Sequence, residues 1–299
     1  MITTLDQIVE RVKGTPNKRL AVAVAEDPHT IEAVGRAVKE DLVHATLTGD
    51  EKAIKKVAAE AKVDPKLFEI IHEPDKAKAL ALAIAKVRAG EADFLMKGLL
   101  DSSLYIRGII DKEKGLLPPG KLLSHVTVIQ APAWKKLIVC GDVAVIPAPD
   151  LEAKIAILNY AIGVAHKLGI EKPKAVLLSA VEKVNPKMAS TTESAIIAKM
   201  ADRGQIKGAI VDGPLALDVA FSEESAKIKG LVSPVAGDAD ILVFPSIEAG
   251  NIFFKTCTYL AKAELGAVVA GATCPCVLTS RGDSEDTKFY SIALASLLS

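Results

Sequence analysis

The stretch CPCVLTSRGDSEDTK, Cys274 to Lys288, brings hydroxyls, a guanidinium and several carboxylates into a few consecutive positions. An apolar run ends there and a polar one begins, which predicts a turn from a strand into a helix. Asp283 reads as the N-cap of that helix, with Asp286 three residues on in the capping-box position. Ser280 and Arg281 precede it, where free N–H groups and the helix macrodipole favour an anion. An arginine at such a place can fork onto a phosphate or a carboxylate. Capping alone accounts for Asp283 and Asp286 in any protein, but it does not account for Ser280 and Arg281. Two other readings are weaker. The Arg-Gly-Asp triplet is a cell-adhesion signal only in an exported chain. A metal pair at Cys274 and Cys276 lacks its other ligands, because Cys140 and Cys257 are not spaced as a second pair. Alternate positions on a strand put Cys274 and Cys276 on one face, where buried free cysteine is common.

Other chemistry-bearing residues follow apolar runs. In open parallel sheets ligands bind beyond the carboxyl ends of strands. That rule nominates Lys97-Gly98, Ser179, Asp212-Gly213-Pro214, Pro245-Ser246 and Ser280-Arg281-Gly282. Asp212-Gly213-Pro214 reads as a tight turn after a strand, with Asp218 inside the next helix. In FPSIEAGNIFFK, Gly250 interrupts a helical pattern at a cost of about 1 kcal/mol against alanine. A close backbone approach to a ligand or a neighbouring subunit would justify it. Asn251 and Lys255 lie one turn apart on the same helical face. Ser124 and His125 follow a basic, proline-containing loop. Among the five histidines no pair has the i, i+4 spacing of a metal site, and none sits in a nucleophile elbow. No G-x-G-x-x-G follows a strand and no P-loop motif is present. Gly, Ser, Asp, Lys and Arg at several strand ends point to a cleft for an anionic substrate.

These residues need a scaffold, and the apolar pattern supplies one. RLAVAVAE, HATLTGD, FEIIHE and DFLMKG read as strands, each followed by a helical pattern. Strands apolar throughout with helices between them predict a parallel sheet covered on both faces. HVTVIQAP and KKLIVCGD then follow each other directly, as a hairpin or a crossing between domains. A helix over 150–168 with Asp150 as N-cap restarts the alternation. Strands are expected at 175–180, 208–214, 240–246 and 267–280, and helices at 188–203, 215–229, 248–265 and 284–298. This gives an α/β protein of two α/β domains, 1–145 plus 281–299 and 146–280, with a cleft between them.

The bulk numbers restrict the partners. Lys plus Arg and Asp plus Glu each number 37, so the formal net charge is zero. That argues against nucleic acid or an anionic membrane as main partner. Aromatics at 4% offer little to stack single-stranded bases. The N-terminus has no apolar signal region, and no run reaches the length of a membrane span. Four cysteines in 299 residues are no disulfide scaffold, so a reduced, cytoplasmic setting is expected.

Taken together, DGPLALDVAFS, GDADILVFPSIEAGNIFFK and TSRGDSEDTKFYSIALA resemble the phosphotransacylase family, the phosphate acetyl- and butyryltransferases. FLMKGLLDSS, APDLEAKIAILNYA and the length look more like the butyryl branch. The likeness spans nearly the whole chain. It implies a fold like the isocitrate and isopropylmalate dehydrogenases, a homodimer or higher homo-oligomer, and no cofactor. It also implies the reversible reaction of acyl-CoA and phosphate to acyl phosphate and CoA, with butyryl or a similar short or branched acyl group. By the same resemblance Ser280 and Arg281 take the family's serine and arginine. The family's downstream aspartate falls opposite Thr287. The base role therefore goes to Asp286, one position earlier, with Asp283 as the fallback. Lys97, Ser124, His125, Asp212, Gly213, Pro214, Asn251 and Lys255 are the implied substrate-binding residues. The competing readings are a phosphate acetyltransferase, a metal- and NAD-dependent dehydrogenase of the same fold group, and a non-catalytic CoA-binding protein. The dehydrogenase would need clustered aspartates, and Asp212 stands alone after its strand.

Overall fold

The computed structural model describes residues 1–280 and 282–299. In chain order the elements begin with α1 (Leu5–Lys13), β1 (Lys18–Ala23), α2 (Pro28–Lys39), β2 (Val43–Gly49) and α3 (Glu51–Glu60). They continue with β3 (Glu69–His72), α4 (Lys76–Arg88), β4 (Phe94–Lys97) and α5 (Ser102–Ile110). The middle of the chain forms β5 (Ser124–Gln130), β6 (Ile138–Gly141), α6 (Leu151–Lys167), β7 (Lys174–Leu178) and α7 (Ala189–Asp202). Then come β8 (Ile210–Leu215), α8 (Leu217–Phe221), α9 (Glu223–Ile228), β9 (Ile241–Val243) and α10 (Ile247–Tyr259). The chain closes with β10 (Glu264–Ala270), β11 (Cys276–Val277) and α11 (Glu285–Leu298).

Two compact α/β units emerge. A flanking unit combines Leu5–Leu123 with Glu264–Ser299, and a middle unit combines Met1–Thr4 with Ser124–Ala263. This division differs from the expected one at both crossings. Residues 124–145 belong with the middle of the chain because β6 pairs in parallel with β9, Val139 opposite Ile241. Residues 264–280 belong with the flanking unit because β11 pairs in parallel with β4, Cys276 opposite Leu95. An apolar strand alone does not declare its partner; pairing does.

Strand order in the flanking unit is β3-β2-β1-β4-β11-β10, parallel except for the antiparallel β10–β11 step. In the middle unit it is β5-β6-β9-β7-β8, parallel except for the antiparallel β5–β6 step. β4, β6 and β9 are buried at every position, as strands covered on both faces must be. The expected strand over 267–280 is in fact two. Gly271, at φ 104°, and the residues up to Pro275 reverse the chain, and β11 returns antiparallel to β10. The expected helix over 215–229 divides at Ser222, which ends α8 and caps α9 by accepting from Ser225 N. Asp212-Gly213-Pro214 is no turn: all three lie within β8, where the β7–β8 register shifts. Proline is tolerated there because β8 pairs on one side only within its unit.

A charged cluster pins the amino ends of the middle unit's central strands. Lys136 Nζ lies 2.9 Å from Asp238 and 2.7 Å from Asp240, and Lys174 Nζ lies 3.0 Å from Asp238. Lys135 adds a contact at 3.2 Å. Burial opposes ionisation of Asp238, but the three ammonium groups outweigh it and hold its carboxyl well below the usual aspartate range. With the folded-state value lowered, the stability this group contributes is present above the unfolded aspartate value and is lost as pH falls through the folded one. Asp238→Asn is therefore expected to cost about 1 kcal/mol at neutral pH and to flatten the acid limb. Urea denaturation from pH 7 to pH 3 checks both.

Candidate active site

In the flanking unit the carboxyl ends of β1, β4 and β11 gather the polar residues. β4 ends at Lys97, which is 3% exposed and donates from Nζ to the carbonyls of Gly98 (3.1 Å) and Leu100 (3.2 Å). Gly98 lets the loop after β4 lie on the loop after β1: a Cβ there would stand 2.1 Å from Val24 O. Leu99 N donates to that same carbonyl. Beyond β11 the chain reaches Thr279 and Ser280. Arg281 lies outside the described residues.

Ser280 is the hub of the turn. Its N–H donates to Asp283 Oδ2 at 2.7 Å, and its carbonyl accepts from Asp283 N at 3.2 Å. Because Asp283 is engaged in this way, the N-cap of α11 is Ser284, one residue later than expected. Ser284 Oγ accepts from Thr287 N at 3.2 Å. Thr287, not Asp286, thus takes the third helical position. Asp286 points elsewhere: its carboxylate meets Arg36 of α2 at 2.8 Å and is largely exposed. Arg36 also pairs with Glu40 and stacks 3.8 Å above the Phe289 ring. The sequence placed Asp286 at the turn; the structure places it in an α2–α11 ion-pair cluster.

Sequence reasoning missed Lys288 in this unit. Its Nζ, buried, donates to Ser280 O at 3.1 Å and to Thr279 Oγ1 at 3.4 Å. A lysine in a helix normally reads as solvated surface, and only its spacing from Ser280 hinted otherwise.

In the middle unit the second group of candidates converges on a residue that the sequence did not single out, Asp142. It follows β6, is 2% exposed, and accepts from His125 N at 2.9 Å through Oδ2. Its Oδ1 accepts from Ala144 N and Val145 N at 2.7 Å each. His125 Nδ1 lies 3.1 Å from Thr127 Oγ1, and Ser124 is fully buried beside it. Asn251 Nδ2 donates to Val143 O at 3.1 Å. Gly250 explains itself here: a Cβ would stand 2.3 Å from Asp142 O. The close approach foreseen at this glycine is made by the chain's own backbone.

The remaining candidates are held more locally. Asp212 accepts from Gly213 N at 2.8 Å and from Ser233 Oγ at 2.6 Å. Gly213 presses on β7, with a Cβ only 2.7 Å from Leu177 Cβ. Pro214 follows in β8. Lys255 Nζ lies 4.5 Å from the Phe254 ring centroid. Asp218, paired with Lys229 at 2.9 Å, is a surface ion pair. Beyond the ends of β7 and β9 lies a recess of about 300 Å³, lined by Leu178, Ser179, Leu217, Phe244 and Phe253, among others. Its size and apolar walls suit a short hydrocarbon group. Among the described residues no three His, Cys, Asp or Glu side chains group as metal ligands. All four cysteines are unpaired thiols, and among the described residues no helix is long and apolar enough to cross a membrane.

Comparison with known proteins decides the family. The profile of the phosphate acetyl/butaryl transferase family matches residues 3–81 and 67–296. The chain belongs to this family. It is 46% identical to the phosphate butyryltransferase of Clostridium acetobutylicum, over all of this chain and 99% of that one. It is 45% identical to the phosphate acetyltransferase of Thermotoga maritima, over 98% and 99%. A branched-chain phosphotransacylase from Enterococcus faecalis superposes with a TM-score of 0.82 at 33% identity, covering 94% of this chain and 98% of the other. A putative 4-hydroxythreonine-4-phosphate dehydrogenase from Salmonella typhimurium gives 0.57 at 13% identity, over 95% and 100%. That last likeness speaks for the dehydrogenase-like fold alone. The enzyme is a transferase, as its relatives are, and the resemblance seen in the motifs holds over the full chain.

The packing yields one prediction about the middle-unit group. Gly250→Ala forces a methyl into the Asp142 carbonyl, and overpacking of this kind costs about 1–3 kcal/mol. A fall in the urea midpoint, with a rise in KM larger than that for a surface Gly→Ala control, is the expected result.

Proposed function

We propose that this enzyme interconverts acyl-CoA plus phosphate with acyl phosphate plus CoA, using the Ser280 turn as its reacting centre. The observation that carries the assignment is the engagement of Ser280. Its backbone is held on both sides by Asp283 and by buried Lys288, so its side chain is positioned without serving as a cap.

The chemistry divides into two halves. A carboxylate takes the proton of the CoA thiol, since the thiolate is the nucleophile. Sulfur then bonds to the acyl carbonyl carbon, the C–O bond to phosphate breaks, and phosphate leaves with the electron pair. In the reverse direction phosphate attacks the thioester and the thiolate recovers its proton. Asp283 is the better base in this reading, because it is hydrogen-bonded within the Ser280 turn, whereas Asp286 meets Arg36 of α2. Ser280 Oγ orients the carbonyl or thiol. Arg281, by family resemblance, steadies the phosphate oxygens and the developing charge. Lys97 belongs to the phosphate side of the flanking unit. Ser124, His125, Asp212, Gly213, Pro214, Asn251 and Lys255, all in the middle unit, are substrate-binding residues by family resemblance.

CoA is a substrate and no further cofactor takes part in this reading. The enzyme acts in the cytoplasm as a homodimer or higher oligomer. The acyl group is butyryl or a similar short or branched chain, which the butyryl-like motifs favour. Overall identity does not separate the branches, at 46% to a butyryl and 45% to an acetyl enzyme. One methylene in an apolar pocket is worth only ~1–3 kcal/mol, so a graded preference is expected.

Thiol release from acetyl-, propionyl-, butyryl- and isobutyryl-CoA with phosphate tests the activity. The expected result is phosphate-dependent release, greatest with the four-carbon groups. No release from any of them would sink the assignment. Ser280→Ala should lower kcat by about 10²–10³, the usual cost of losing one aimed hydrogen-bonding group. Asp283→Asn should fall at least as far, while Asp286→Asn should keep kcat within about threefold and lose at most ~1 kcal/mol of stability. The opposite order would return the base role to Asp286.

A further inference from the structure

Lys288 is out of place by ordinary rules of burial. It is 3% exposed, on the buried side of α11. Lys154, the other deeply buried lysine on a helix, meets the carboxylate of Glu193 directly. Lys288 does not have that arrangement. Its hydrogen bonds go to two neutral oxygens, Ser280 O and Thr279 Oγ1. Asp27, the N-cap of α2, and Asp283 act on it only as more distant charges. Burial accordingly pushes the ammonium below the usual lysine range, against the pull of those two carboxylates. A buried cation without a paired anion costs several kcal/mol. A methionine would fill the same volume at no such cost, so packing alone does not explain a lysine.

Its position does. The ammonium donates to the carbonyl oxygen of Ser280 and to Thr279 Oγ1, so it ties down the two residues that lead into the turn. β11, which leads into these residues, pairs in parallel with β4, Val277 opposite Met96. Lys97 is the next residue of β4, so the register sets a second buried lysine at the neighbouring strand end. Two buried lysines therefore serve adjacent strand ends of the flanking unit.

We infer that Lys288 is a positioning residue for phosphate: it clamps the Thr279–Ser280 segment and supplies the standing positive charge that the incoming phosphate completes as an ion pair. The inference rests on the acyltransferase reading of the Ser280 turn. It differs from that reading in predicting a selective effect on one substrate. Stabilisation of this kind acts on phosphate and acyl phosphate, which carry the charge, and leaves the CoA thioester nearly untouched.

Lys288→Met and Lys288→Arg, assayed beside the unchanged enzyme with butyryl-CoA and inorganic phosphate, decide the matter. Loss of one charge-assisted interaction should raise KM for phosphate about tenfold or more in Lys288→Met, with KM for butyryl-CoA within about twofold. The thermal midpoint of that variant should be equal or higher, because an unpaired buried charge is gone. Lys288→Arg keeps the charge and should restore most of the phosphate affinity. A Lys288→Met enzyme with normal phosphate KM, or one whose two KM values rise together while its thermal midpoint falls, overturns the inference and makes the residue structural. Should Lys288→Met fail to fold, NMR of the unchanged enzyme carrying ¹⁵N-labelled lysine side chains takes its place. Titration with inorganic phosphate must then shift the Nζ signal that is lost in Lys288→Arg, and a signal that does not move overturns the inference. Absence of thiol release by the unchanged enzyme would instead count against the acyltransferase reading, and phosphate binding would still report on Lys288.

Discussion

A strand buried on both faces can carry polar chemistry only at its ends. Along its length every side chain meets a helix or the sheet, and each backbone group is used in the ladder. β4, β6 and β9 obey this constraint strictly, with no exposed position in any of them. The rest of the structure depends on how each end is used. In the middle unit, amino ends are sealed by Lys136, Lys174, Asp238 and Asp240, a self-neutralising cluster. Carboxyl ends carry Lys97, Asp142 and the run to Ser280, and here charges are held by backbone groups as much as by opposite charges.

Backbone-to-backbone contact is the second device. Gly98 and Gly250 each sit where a methyl would collide with a carbonyl, of Val24 and Asp142 respectively. At both places the missing side chain lets a loop settle against its neighbour and fixes the polar residue beside it: Lys97 in one unit, Asn251 in the other. Asp142 works from the opposite direction, using one carboxylate to gather the N–H groups of His125, Ala144 and Val145. Such a carboxylate is satisfied by backbone hydrogen bonds.

Much of the fold was legible from pattern alone. The apolar runs placed the strands, Asp150 marked the start of α6, and two adjacent strand-like runs did become the antiparallel β5–β6 pair. The misreadings have local causes. β10 and β11 read as one strand because AVVAGATCPCVL is apolar on both sides of its reversal. Asp212-Gly213-Pro214 read as a turn because its residue types favour turns, yet Gly213 presses against Leu177 inside the sheet. The N-cap fell one residue off because Asp283 and Ser284 are both good caps, and the Ser280 N–H claimed Asp283.

Residue types and their order determined, by themselves, that this is an α/β protein of the phosphotransacylase family. Periodicity and motif spacing are local properties, and a linear chain displays them in full. Only the tertiary structure decided which carboxylate meets which partner. Asp286 answers to Arg36, 250 residues away, and Lys288 folds back beneath Ser280. Both side chains look the same on paper as any capping acid or surface lysine. Partnership and burial set their charge and reach, and these depend on which helices the sheet brings side by side.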